Sequence, residues 1–130
     1  MTDAPLILIV EDDPHSLRVA KLALEHAGFR CIGATYAAEA LSDLKHTRPG
    51  LVVMDINLPG VDGLELTRWL KDDELTRNIP VLAVTAYAMD GDSDIARAAG
   101  CDGYITKPYE LEHLIREARR LLDVDPETSP

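Results

Sequence analysis

Glu11 and Asp12 stand directly behind a five-residue apolar run, LILIV at Leu6–Val10. Asp55 stands directly behind a second such run, LVVM at Leu51–Met54. Thr85 follows a third, PVLAV at Pro80–Val84, and Lys107 follows the short stretch Gly103–Thr106 and precedes Pro108. Near-continuous apolar runs are what strands buried on both faces require. In a parallel sheet the ends of such strands share one edge, with neighbours ~4.8 Å apart. Three carboxylates at that spacing repel one another and do not all stay ionised unaided. A hard divalent cation removes the conflict, and Mg2+ is held by one or two carboxylates, with waters and phosphate oxygens completing its octahedron. Three carboxylates, one divalent metal and the Lys107 ammonium sum to near neutrality, and a phosphoryl group then adds about −2. The metal and Lys107 would hold its oxygens, and Thr85 offers a further hydrogen bond to an oxyanion. An Asp carboxylate can be a nucleophile toward phosphorus, in a reaction that needs mainly positioning and charge stabilisation.

The elements that must position these groups alternate along the chain. Asp13 and Pro14 give an N-cap followed by a proline at the first helical position. The helix to about Ala27 puts Leu17, Ala20, Leu24 and Ala27 on one side, and Gly28 stops it. Arg30–Ala34 reads as a weak second strand. Ala37, Ala40, Leu41 and Leu44 mark a second helix, closed at Pro49 and Gly50. A third helix runs from about Gly63 to Asp73, with Asp62 and Glu65 at capping-box spacing. A fourth, about Met89–Ala99, holds Met89 and Ile95 as its only bulky apolar residues, and a fifth runs Tyr109–Leu122 with Leu111, Leu114, Ile115, Ala118 and Leu122 in register. Five strand–helix repeats with buried-type strands predict an α/β fold: a flavodoxin-like (βα)5 three-layer sandwich around a five-stranded parallel sheet in order 2-1-3-4-5. In that fold ligands sit beyond the carboxyl ends of the strands, where the residues above stand.

Composition narrows the classes. One domain fits 130 residues. The expected division is a domain over residues 1–122 and a disordered acidic tail over 123–130, DVDPETSP, with no room for an output domain. There are 23 acidic and 13 basic residues, a net charge of −10, which argues against nucleic-acid binding and against an anionic membrane surface. No apolar run approaches the ~18 residues of a spanning helix, and the start lacks a basic leader, so the expectation is a cytoplasmic protein. Cys31 and Cys101 form no metal or CxxC spacing and read as small buried hydrophobes. Tyr104 reads as half-buried packing, and Trp69, near Leu66 and Leu70, as packing.

With these residues in place, the chain closely resembles the receiver domain of bacterial two-component response regulators. The match spans about Leu6 to Leu122. It is carried by LILIVEDDP, LVVMDINLPGVDGLEL, IPVLAVTAYA and AAGCDGYITKPY in order. The resemblance implies that Asp55 is the phospho-acceptor of a phosphorelay signalling switch. It implies Mg2+ (Mn2+ possible) on Asp12 directly, on Glu11 mostly through water, on Asp55 and on the backbone carbonyl of Asn57. It makes Lys107 the phosphoryl-holding cation and Thr85 and Tyr104 the switch pair. It implies a histidine kinase or histidine phosphotransfer protein as donor, and a downstream protein bound through the helix 4–strand 5–helix 5 face. The molecule is then not an enzyme beyond its own phosphorylation and dephosphorylation, and a monomer or weak dimer is expected. Glu at position 11, where many relatives have Asp, is a common variant. The VTAYAM and AGCDGYI stretches are similar to those of stand-alone DivK-type regulators and of receivers in hybrid kinases.

Three rivals make different demands. A haloacid-dehalogenase-type phosphohydrolase needs a second acid two residues after its nucleophile, and that position is Asn57, which cannot exchange a proton in that way. A flavodoxin-like electron carrier needs a phosphate-cradling loop after the first strand, where this chain has EDD. A phosphorylation-independent binding module would keep the acidic pocket as a vestige.

Overall fold

The computed structural model describes residues 4–58, 60, 62–86 and 92–122. Its elements alternate strictly: β1 (Leu6–Val10), α1 (Pro14–His26), β2 (Arg30–Ala34), α2 (Ala37–His46), β3 (Leu51–Asp55), α3 (Gly63–Asp72), β4 (Val81–Thr85), α4 (Asp92–Ala99), β5 (Gly103–Thr106) and α5 (Leu111–Leu121). The strands form one parallel sheet in the order β2-β1-β3-β4-β5. Architecture and strand order are those the alternation of apolar runs predicts. The expected start of the fourth helix at Met89 and the tail 123–130 lie outside the described residues.

Side chains alternate across a strand, so each strand feeds two cores. On one face Leu8, Val10, Val52, Met54, Val81 and Ala83 pack beneath Ala37 and Ala40 of α2, Leu66 and Leu70 of α3 and Ala96 of α4. On the other, Ile7, Ile9, Val53, Leu82, Val84 and Ile105 pack against Ala20 and Leu24 of α1 and Leu114 and Ala118 of α5. β1, β3 and β4 are buried along almost their whole length, which is why their sequences are unbroken apolar runs.

Helix ends follow the expected chemistry. The Asp13 carboxylate accepts from the Ser16 N–H at 3.2 Å and from the Ser16 hydroxyl at 2.6 Å, and Pro14 opens α1. Asp62 caps α3 through the Leu64 N–H at 2.9 Å, but among the described residues no return bond from Glu65 completes the capping box that the spacing suggests. Gly28 and Gly100 take left-handed backbone after α1 and α4. Cys31 and Cys101 are free and buried, as expected.

Some side-chain readings need correction. Trp69 does not pack inward. It lies between the buried Leu66 and Leu70 in sequence but off their shared i, i+4 face, and it is 45% exposed. Leu111, placed in the apolar register of the fifth helix, is exposed at its first turn, ahead of the buried Leu114 and Ala118.

Candidate functional site

Backbone pairing aligns the strand ends. The Glu11 N–H donates to the Ala34 carbonyl, the Ile56 N–H to Val84 and the Lys107 N–H to Thr85, all at 2.7–2.9 Å. Asp55 and Thr85 are themselves the last residues of β3 and β4, one place earlier relative to the strand than the sequence suggests. Parity then sorts the side chains. Glu11, Asp55 and Lys107 each fall two places after a residue of the α1–α5 core: Ile9, Val53 and Ile105. Thr85 and Tyr104 have the opposite parity, shared with Ala83 of the α2–α4 core.

Glu11, Asp55 and Lys107 stand together on the α1–α5 side, and Asp12 joins them from the loop after β1. Glu11, Asp12 and Asp55 each offer a carboxylate oxygen, and the three oxygens lie within 4.8 Å of one another. Glu11 and Asp55 are buried, whereas Asp12 is exposed at the mouth. Lys107 Nζ lies 2.5 Å from Glu11 Oε1 and 3.5 Å from Asp55 Oδ2. The other Glu11 oxygen accepts from the Asp13 N–H at 3.2 Å, and Asp55 Oδ1 accepts from the Asn57 N–H at 2.9 Å. The Lys107–Pro108 peptide bond is cis.

The electrostatics report crowding. Burial pushes the Glu11 carboxyl up to about 7, and a hydrogen bond shared with Asp55 adds to it; Lys107 and the Asp13 N–H pull the other way. Burial works against the Lys107 charge, but its hydrogen bond to Glu11 and the nearby charges of Asp55 and Glu11 outweigh that and hold it above its ordinary value. One ammonium therefore only partly relieves three clustered carboxylates. Hard oxygen donors at this spacing fit a divalent cation such as Mg2+.

Thr85 is buried at the end of β4, and its hydroxyl donates to Asn57 Oδ1 at 3.3 Å. Tyr104 lies on the neighbouring strand, diagonally across the same face, half-buried against the α2–α4 core. It lines a cavity of about 420 Å3 with Ala96, Arg97, Cys101, Glu117 and Arg120, between α4, β5 and α5. The sequence reading missed the Asn57 side chain as a bridge. Its carboxamide also accepts from the Ala86 N–H at 3.1 Å, so it ties the loop after β3 to the loop after β4. The residue type signals hydrogen bonding, but its partners, the last residue of β4 and the one after it, are set only by the fold.

A response regulator receiver domain model matches residues 7–119. The chain belongs to the response regulator receiver domain family. It is 42% identical to the polar-differentiation response regulator DivK of Brucella anthropi over 116 residues, 89% of this chain and 94% of that one. Among solved structures it is similar to the receiver domain of a signal transduction histidine kinase from Syntrophus aciditrophicus, with TM-score 0.85, 36% identity and coverage of 97% and 96%. It is also similar to the receiver domain of a sensor histidine kinase from Pseudomonas aeruginosa, with TM-score 0.84, 31% identity and coverage of 92% and 98%; that structure holds a magnesium ion in the active site cleft. The chain is thus a receiver-type phosphorylation switch of a phosphorelay, not a conventional enzyme, and Glu11, Asp12 and Asp55 form the acidic Mg2+ site typical of receivers. Receiver function implies partnering with a histidine kinase. Among the described residues no helix is long and apolar enough to cross a membrane.

Proposed function

We propose that Asp55 accepts the phosphoryl group from a phosphohistidine on a histidine kinase or phosphotransfer protein, in the cytoplasm, and that the phosphorylated form binds a downstream protein through the α4–β5–α5 face. The carrying observation is that buried Asp55 shares its pocket with Glu11, Asp12 and Lys107. A new P–O bond to Asp55 forms as the donor's P–N bond breaks. Bound Mg2+ supplies charge neutralisation for the transferring group and for the carboxylates that hold it. Asp12, Glu11, Asp55 and the Asn57 backbone carbonyl are the residues to hold it. Lys107 holds a phosphoryl oxygen with its ammonium. The Thr85 hydroxyl then turns to the new dianion, and Tyr104, on the same face, fills the space it leaves. The signal is a population shift, as large as the difference in how well the phosphoryl group is held in the two states. A monomer or weak dimer serves this cycle.

Incubation with an acyl phosphate and Mg2+ tests the reading. The expected outcome is one labelled aspartate, lost in Asp55→Ala and on metal chelation. Steady turnover of small phosphate esters without a labelled intermediate would instead support a phosphohydrolase, and no labelling at all would support a phosphorylation-independent module.

A further inference from the structure

Asn57 makes three hydrogen bonds that together span the site. Its backbone N–H donates to Asp55 Oδ1 at 2.9 Å. Its side-chain oxygen accepts from the Ala86 N–H at 3.1 Å and from the Thr85 hydroxyl at 3.3 Å. The orientation of the carboxamide is fixed by chemistry, because a backbone N–H can only donate and so must face the oxygen. A hydroxyl carries a single proton. The proton that Thr85 gives to Asn57 is therefore the one it would need for an oxyanion on Asp55.

We propose that the Asn57 side chain is a resting-state latch: it holds the Thr85 hydroxyl and the Ala86 amide away from the phosphoryl site, and the switch turns only when this bond is given up. The proposal rests on Asp55 phosphorylation and adds the residue that opposes it. Asn57 is then a positioning residue acting through Thr85. Its side chain is exposed, so its removal leaves the buried core untouched.

One neutral hydrogen bond of this kind corresponds to about two- to tenfold in an equilibrium. The test uses the full chain and beryllofluoride as phosphoryl mimic, with Mg2+ saturating for each protein by its own titration, followed through the Thr85 and Ala86 amide resonances. Asn57→Ala is expected to tighten mimic binding about two- to tenfold and to move the Ala86 resonance of the free protein toward its mimic-bound position. In a Thr85→Val background the same substitution is expected to give no gain, since the hydroxyl that the latch holds is gone. Mimic affinity that is unchanged or weaker in Asn57→Ala overturns the latch, as does an equal gain without the hydroxyl. A native protein that takes no mimic at all overturns both the latch and the phosphorylation reading beneath it.

Discussion

Glu11 shows how much one side chain can carry at this site. Its carboxyl has an ordinary value of 4.5 and is raised to about 7 in the folded protein. Between those values the folded chain keeps a proton that the unfolded chain has released, so this residue's contribution to stability falls as pH rises through that window. A divalent cation binds the ionised carboxylate and displaces the proton, so its benefit grows over the same range. Thermal unfolding with and without Mg2+ is therefore expected to show a larger increment at pH 7.5 than at pH 5.5. Glu11→Gln is expected to flatten that difference, and an equal increment at both pH values in the native chain contradicts the argument. That Glu11, Asp12, Asp55, Thr85 and Lys107 gather at one edge was legible because each stands at or just past the end of an expected strand. The contacts of Asn57 were not, because its partners Thr85 and Ala86 arrive from a different strand.

The helix α3 meets β3 at a place that only glycine fits. A Cβ on Gly63 would come within 2.5 Å of the Asp55 carbonyl oxygen and 2.7 Å of the Ile56 Cα, both backbone atoms that cannot swing aside. The Gly63 N–H also donates to the Ile56 carbonyl at 3.0 Å, closing the loop that carries Asn57. Gly63→Ala is expected to cost about 1–3 kcal/mol, read as a lower denaturation midpoint at unchanged slope. Gly33→Ala is the contrast. The atoms nearest its Cβ belong to the Leu17 side chain, at 2.9–3.3 Å, which can shift where backbone cannot, so a smaller loss is expected. That packing also explains why β2 reads weakly. It is an edge strand with exposed Arg30, and its glycine makes room for Leu17 instead of adding apolar surface. Helix α4 was hard to read for a related reason. It docks through the small residues Ala96 and Ala99, while its bulky Ile95 stays 51% exposed. A pattern search finds large side chains, and here the contact is made by small ones.

At the scale of the whole molecule, two cores share one sheet, so the chain is expected to unfold as a unit and to respond to any ligand that binds only the folded form. Mg2+ alone is expected to raise the unfolding temperature, and Mg2+ with beryllofluoride to raise it further, each saturable. A ligand at a hundredfold its Kd adds about 2.7 kcal/mol. Calorimetry checks this, and a mimic increment that persists in Asp55→Ala contradicts it. Topology was readable because buried parallel strands leave little choice of sequence, and right-handed crossovers leave little choice of order. The alternation of side chains across that sheet reaches further. Glu11, Asp55 and Lys107 belong to one side, Thr85 and Tyr104 to the other. The sheet is thus a partition with the ink on one surface and the legible mark on the reverse. On the proposed roles, damage to either surface alone breaks the relay: loss on the first leaves nothing written, and loss on the second leaves a phosphate that goes unread.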